Sequence, residues 1–396
     1  MRLISAKGSI YMQFYQKPKM TKELIAYYAP IIVTAIAIVI LLIIPTGFEG
    51  ALIYQGTERV SAEVISTDDS GIIDTGLVRA GEQTCEVRFL QGQFAGQTYA
   101  TAVNMLTGSL GEDKIFSEGD TAYVVISHRD GEILSVSMID HYRLPWELVL
   151  AGIFIVVLVL FAGQTGVRAV LSFILTILCI WKVLVPLYIK GYSPIVAGIA
   201  IVSALSVMIV ALVYGFDKRT LASSFGIIVG LGFTAALGAI FTSLMNIHGA
   251  VMSYSESLLY SGYQDLNLTQ IFMASVFIGS SGAMMDLAVD ITSAVQEVVR
   301  KKPDITPWEA VKSGMTVGRA AMGTITTTLL LAYSGSCIAL LMVFMAQGTP
   351  LDCILNYKYV AAEIIHTIAG SFGIVAVAPL TAAASGLLLT ENSKGS

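Results

Sequence analysis

Asp286, Asp290 and Glu297 stand out because the stretch that carries them, 268–299, is otherwise largely apolar or small. With Gly279, Ala283 and Ser293 they recur at spacings of 4, 3, 4, 3 and 4. At 100° per residue such a series falls within an arc of roughly 80°, one face of a helix. An ionisable side chain inside a membrane span is costly, so it is a functional candidate by default. If the helix enters from outside near Ile271, Asp286 lies roughly 22 Å in at 1.5 Å per residue, Asp290 lies near the inner boundary and Glu297 reaches water. The next apolar stretch brings Thr324, Thr326, Thr327 and Thr328 to a similar depth from the cytoplasmic side, with Arg319 at its mouth. Carboxylates, neutral hydroxyls and a counter-charge at one level are the ligand set of a cation or proton site. The competing reading is structural: Arg319 pairs with Asp286 or Asp290 and pins two helices, while the threonines bond back to their own helix.

A second polar group lies further along. Glu363, His366, Gly370, Gly373 and Val377 share a helix face, with Glu363 and His366 in its outer third. Lys182, on an earlier apolar stretch, falls at comparable depth, which suggests a Lys182–Glu363 pair. Snorkelling of Lys182 to the outer interface is the alternative. Gly226 and Gly230 form a GxxxG, followed by Gly232, and read as a helix-packing face.

The elements that position these residues are membrane helices. Of 396 residues, 55% are hydrophobic and 13% charged, with a mean hydropathy of +0.75. Soluble domains run near 25% charged, so an ordinary soluble enzyme, a disordered chain and a coiled coil are excluded. A first span at 24–44 is too long for a signal-peptide core and lacks a small-residue cleavage site after it. Seven more spans fit at 146–163, 169–189, 194–214, 221–245, 268–299, 320–345 and 360–389, each able to cross ~30 Å. Fourteen Lys/Arg then fall on one side in short loops and termini, among them Arg2, Lys17, Arg168, Arg219, Arg300 and Lys394. The other side's short loops hold only Lys190 and Lys358. This bias puts both termini in the cytoplasm of a multi-pass plasma-membrane protein in contact with the lipid bilayer.

Residues 45–145 are the one sizeable soluble stretch. Within it, 51–144 hold 14 Asp/Glu against 6 Lys/Arg. Alternation in Cys85–Leu90 and Thr121–Ile126, with turns at Asp69-Ser70-Gly71, Gly92 and Asp130-Gly131, fits about five strands. The expected fold class is therefore an all-α polytopic membrane protein of about eight helices, with a small extracytoplasmic β-rich, OB-like domain between helices 1 and 2. Its divisions are a cytoplasmic segment 1–23, a first helix 24–44, the β-rich domain 45–145, a seven-helix membrane domain 146–389 and a cytoplasmic tail 390–396. The basic fringe follows the positive-inside rule and does not argue for nucleic acid. Cys85, Cys179, Cys337 and Cys353 form no CxxC and no zinc spacing, and only a Cys85–Cys353 disulfide is geometrically conceivable. No phosphate loop, nucleophile elbow, zinc-protease helix or dinucleotide fingerprint occurs, so neither an enzyme nor a cofactor is expected. Asp286 and Asp290, a turn apart on one helix, make a poor protease dyad.

The run Gly282-Ala283-Met284-Met285-Asp286-Leu287-Ala288-Val289-Asp290-Ile291 resembles a signature of the YibE/F family of bacterial membrane proteins. So do Ser313-Gly314-Met315-Thr316-Val317-Gly318-Arg319, the stretch from Met322 to Gly335, and Gly370-Ser371-Phe372-Gly373 with Pro379-Leu380-Thr381. The resemblance runs from about residue 45 to 390. It implies a bacterial polytopic membrane protein whose relatives often occur as a pair of related subunits, so a related subunit or a second copy is the expected partner. It supplies no substrate. Relatives usually carry Asn where this chain has Thr327, and a basic residue, typically Arg, where it has His366. The second exchange replaces a permanent charge with a side chain that gains and loses a proton.

From these residues the expected function is a transporter or permease component for an ion or small solute. Asp286 and Asp290 would bind, Thr324 and Thr327 would supply neutral oxygens, Arg319 would balance charge, and Glu363 and His366 would line the outer entrance. The rival expectation is a receptor or assembly scaffold whose outer domain binds an envelope partner. The acidic stripe spans three turns, more than one structural ion pair needs, and this favours transport.

Overall fold

The computed structural model describes residues 22–48, 54 and 56–390. The basic residues Arg2, Lys7, Lys17, Lys19 and Lys394 of the sequence reading lie outside them. The chain divides into two units, one up to Gly47 and from Ala162 on, the other Phe48–Phe161.

Among its described residues the second unit holds six strands and one long helix. The strands are β1 (Thr57–Asp68), β2 (Ile72–Asp74), β3 (Arg79–Phe89), β4 (Thr98–Thr107), β5 (Thr121–Arg129) and β6 (Glu132–His141). β1 pairs with both β3 and β5, β5 with β6, β6 with β4 and β4 with β3, so five strands close into a barrel. The β4–β6 pairing is parallel, the others antiparallel, and β2 is a short addition to the edge of β3. This is the five-stranded Greek-key closure of an OB-like barrel. Period-two alternation sends Val60, Ala62, Val64, Cys85, Val87, Phe89, Val124 and Ile126 inward. Bulges at Val64/Ser66 on β1 and Cys85/Val87 on β3 bend the sheet at its corners. The β5–β6 hairpin turns on Asp130-Gly131, both at positive φ (53° and 85°), the type I′ geometry that Asp-Gly favours. Cys85 is a buried free thiol on β3, and Cys353 is also free, so the two do not form a disulfide. Burial pushes the Cys85 thiol up to about 11.

Asp113 organises the loop after β4. Its carboxylate accepts from the Thr107, Gly108 and Ser109 amides and from the Thr107 hydroxyl at 2.7–2.9 Å. These bonds, the Thr107 amide foremost, hold its carboxyl below the usual range. A carboxyl lowered in the folded state stabilises fully above its unfolded value, about pH 4, and that stabilisation is lost as pH falls through the native value. Asp113→Asn is therefore expected to lower the barrel's thermal midpoint at pH 7 and to flatten its decline below about pH 4. A midpoint at pH 7 equal to wild type would contradict this.

The helix of this unit, α2 (Leu144–Ala162), has no buried residue. Among the described residues of the first unit the α-helices are α1 (Lys22–Ile43), α3 (Gln164–Ile189), α4 (Pro194–Tyr214), α5 (Lys218–Leu244), the short α6 (Ser255–Tyr260), α7 (Leu268–Lys301), α8 (Pro307–Ser336), α9 (Ile338–Ala346), the short α10 (Leu351–Asn356) and α11 (Lys358–Thr390). Among the described residues seven helices are long and apolar enough to cross a membrane, or eight if α8 and α9 make one span. The chain is thus a multi-span membrane protein.

The expected seventh span, 320–345, is not one straight helix. It starts earlier, at a capping box in which Thr306 Oγ1 accepts from the Glu309 amide and Pro307 occupies the first turn. It breaks by 61° between α8 and α9. Ser334-Gly335-Ser336 precedes the break, and a Gly/Ser group is a usual cause of a sharp kink. α3 also deviates, with a π-helical turn at Ile180–Leu184.

α5, α7, α8 and α11 form the core through small residues. A Cβ on Gly226 would lie 2.0 Å from Thr381 Oγ1, one on Gly230 2.3 Å from Val377 Cγ2, and one on Gly373 1.9 Å from Thr234 Oγ1. The GxxxG of α5 therefore meets α11, whereas Gly232 faces open space. A buried hydroxyl chain, Ser223 to Thr292 at 2.8 Å and Thr292 to Ser385 at 2.9 Å, joins α5, α7 and α11. Gly226→Val must push α11 away and is expected to cost about 1–3 kcal/mol. A fall in thermal midpoint of purified protein checks this, and an unchanged midpoint would show slack between α5 and α11.

Arg168, expected among the loop charges, is buried. Its guanidinium lies 3.8 Å over the Tyr27 ring and donates to the Leu212 carbonyl at 2.9 Å, tying α1 and α4 to α3. Asp217 caps α5 by accepting from the Arg219 and Thr220 amides.

Candidate functional site

α7 is two-faced. Met284, Leu287, Ala288, Ile291 and Val295 are fully buried in the core. Gly279, Gly282, Asp286, Asp290 and Ser293 are exposed on the chain's surface, with Ala283 partly so. The stripe anticipated from spacing is thus a real face, and it is uncovered. Asp286 lies just past the midpoint of the 34-residue helix. At 1.5 Å per residue that helix is about 51 Å long, well beyond a bilayer core. One edge of the stripe is fixed by Tyr214 of α4, whose hydroxyl donates to the Val289 carbonyl at 2.6 Å and lies 2.7 Å from Ser293 Oγ.

Among the described residues neither Asp286 nor Asp290 has an ion pair or a side-chain hydrogen bond, and neither does Arg319. The competing expectation, an Arg319 bridge to one of these acids, is not formed: Arg319 points to the exposed side of α8. Glu297 differs, since Arg300 at 2.8 Å and Lys301 at 3.4 Å pair with it on its own helix. Two like charges a turn apart, without a cation, are the feature of this site that packing does not explain.

Thr324, Thr327 and Thr328 are exposed on α8 and Thr326 is partly so. Each hydroxyl donates to its own helix, to Ala321, Gly323, Thr324 and Met322 respectively, at 2.9 Å. With its hydrogen spent inward, each oxygen presents only lone pairs outward. Back-bonding and a ligand role are therefore compatible.

The outer cluster is partly as expected. Glu363 and His366 are neighbours, Oε2 to Nδ1 3.5 Å. Lys182 does not join them. Its Nζ lies 3.4 Å from the Ile44 carbonyl, where the long side chain reaches the C-terminal end of α1. The expected Lys182–Glu363 pair is thus replaced by a helix-end contact, in keeping with the affinity of a cation for free terminal carbonyls. Three residues not singled out from sequence complete the cluster: Ser275, Phe272 and Tyr333. Ser275 Oγ is 3.0 Å from His366 Nε2, and the rings of Phe272 and Tyr333 lie 4.9 and 5.3 Å from the imidazole. The i, i+3 spacing of Phe272 and Ser275 on one face of α7 was the available signal. Gly370, Gly373 and Val377 of the same face serve packing against Ser280, Thr234 and Gly230.

No group of three or more His, Cys, Asp or Glu side chains suited to a metal ion occurs among the described residues. A family model described as YibE/F-like protein matches residues 150–391, which leaves the barrel outside the match. No curated protein and no solved structure matches the chain. The matched region takes in α7 with Asp286 and Asp290, α8 with Arg319 and the threonines, and α11 with Glu363 and His366. With more than half of its length matched, the chain belongs to the YibE/F-like protein family.

Proposed function

We propose that this chain is a transporter, or the permease component of one, that moves a cation or small solute along the exposed polar face of α7. The observation that carries this reading is the pair Asp286 and Asp290, exposed and without a cationic partner inside a helix that crosses the membrane. A carboxylate in that setting needs water, a cation or another subunit against it. The acceptor oxygens of Thr324 and Thr327 suit a hard cation, and Arg319 adds a balancing charge. The orientation that goes with this reading has both termini in the bacterial cytoplasm and the barrel outside. A second copy or a related subunit would cover the remainder of the face.

Ion flux in proteoliposomes tests it, with gradients of H⁺, Na⁺, K⁺, Mg²⁺ and Mn²⁺. Flux above that of empty vesicles supports the reading, and no flux from well-folded protein under any gradient counts against it. One observation favours the receptor reading instead. A cleft of about 310 Å³ at one end of the barrel is lined by Asp74, Arg79, Ser109 and Asp113 and rimmed by Leu77 and Leu110, which are 86% and 81% exposed. Deleting 50–144 would destroy function on that reading.

A further inference from the structure

The heavy-atom geometry around His366 points to one tautomer. Ser275 Oγ donates its one hydrogen to the Phe272 carbonyl at 2.7 Å. With its hydrogen placed there, it accepts from His366 Nε2, 3.0 Å away, and Nε2 carries a hydrogen. In the neutral ring Nδ1 is then a bare lone pair. It faces Glu363 Oε2 at 3.5 Å, and both atoms are buried without a hydrogen-bond partner. Two lone pairs held face to face away from water repel, and one proton between them turns the repulsion into a charge-assisted contact.

We propose that Glu363 and His366 form a half-buried one-proton site, the point at which a proton enters the chain and couples to movement along the α7 stripe. The proton adds to the carboxylate and neutral imidazole, is held between Oε2 and Nδ1, and leaves to restore both. Among the described residues no Lys or Arg pairs with either side chain. α7 presents Phe272 and Ser275, α8 presents Tyr333, and Val251 and Met252 pack at this end from the turn after α5. Tyr333 and Glu363 are the titratable groups among them.

Tyr333 links the site to the stripe. Its ring stacks on the imidazole at 16°, and its hydroxyl lies where a Cβ of Gly279 would be, 2.0 Å from that position. That hydroxyl is itself buried and without a hydrogen-bond partner. Gly279 belongs to the Asp286 face, two turns or about 10 Å along α7 from it. The proton site stands on its own geometry, while its coupling role rests on the transport reading above.

The test is ¹⁵N-histidine NMR of the full chain in lipid, with the His366 signals identified by their loss in His366→Gln. Nε2 is expected to carry a hydrogen at every pH, and Nδ1 to gain one on acidification. At the pH where half of wild-type His366 is doubly protonated, Glu363→Gln should lower that fraction about fivefold. Ser275→Ala, which leaves every charge in place, should shift the neutral ring toward the Nδ1–H tautomer. A neutral Nδ1–H ring in wild type, or an unchanged fraction in Glu363→Gln, would overturn the proposal. The spectra do not depend on flux, so this NMR signature in a chain that moves no ion would sink the transport reading and leave the proton site standing.

Discussion

On the transport reading, Asp286→Asn is expected to abolish flux, with a loss of about 100-fold or more, and to leave insertion and thermal stability unchanged. The size follows from the role: removing an outer-shell group at an ion site costs 10–100-fold, and a direct ligand costs at least the upper end. The separation from stability follows from the structure. Asn is nearly isosteric, and the side of α7 that packs is the opposite one, through Met284, Leu287 and Ile291. No ion pair or hydrogen bond among the described residues depends on the carboxylate. Had Arg319 bridged to it, the same substitution would have stranded a charge and destabilised the protein. Flux and thermal midpoint measured on one preparation check both halves. Undiminished flux, or a loss explained by unfolding, would contradict the assignment.

Gln83→Leu unfolds the barrel. Gln83 is fully buried on β3 and uses every hydrogen-bonding position of its amide. Nε2 donates to Asp69 Oδ1 and the Phe116 carbonyl, both at 2.8 Å, and Oε1 accepts from the Phe116 amide and Asn104 Nδ2, both at 3.0 Å. Leucine keeps the approximate size and strands the Phe116 amide and carbonyl and one Asn104 hydrogen bond. Each buried group so stranded costs about 1–3 kcal/mol, hence roughly 3–9 kcal/mol together. A domain of this size has about 5–15 kcal/mol to lose. Protease nicking between residues 57 and 141 in the variant, with the membrane helices intact, is the expected result. A barrel as resistant as wild type would show that solvent reaches Phe116.

The sequence carried the architecture because its signals are long and repeated. Apolar stretches near 20 residues admit few alternatives in lipid, and the alternation of Cys85, Val87 and Phe89 put one face of β3 inside. Stepping that alternation back by two reaches Gln83, so its inward position was legible, although its three partner residues, Asp69, Asn104 and Phe116, come from loops and strands far along the chain. The Thr306-x-x-Glu309 capping box was also legible and marks the true start of α8 well before residue 320. The broken end of α8 was harder, since a Gly/Ser group within an apolar run is tolerated in many membrane helices.

At the site, helical spacing was enough to gather Asp286 and Asp290 on one face. It did not say whether that face was covered, because burial depends on neighbours that periodicity does not identify. Lys182 shows the same limit. Its depth matched that of Glu363, but depth along the membrane normal says nothing about position around the bundle, and the side chain found the end of α1. Tyr333 and Ser275 were missed because each is unremarkable on its own helix and acquires meaning only where α7, α8 and α11 meet at His366.

The claim on which the rest depends is that the acidic face of α7 meets water inside the membrane. Single cysteines at Gly282 and Ser293 on that face, and at Phe233 on an exposed apolar position of α5, would be placed on a background lacking the four native cysteines. Their labelling by a membrane-impermeant thiol reagent in lipid vesicles reads the claim directly. Rapid labelling of Gly282→Cys and Ser293→Cys, with Phe233→Cys protected, is the predicted result. Equal protection of all three would place the face against lipid or sealed in an interface, and would contradict a path along it.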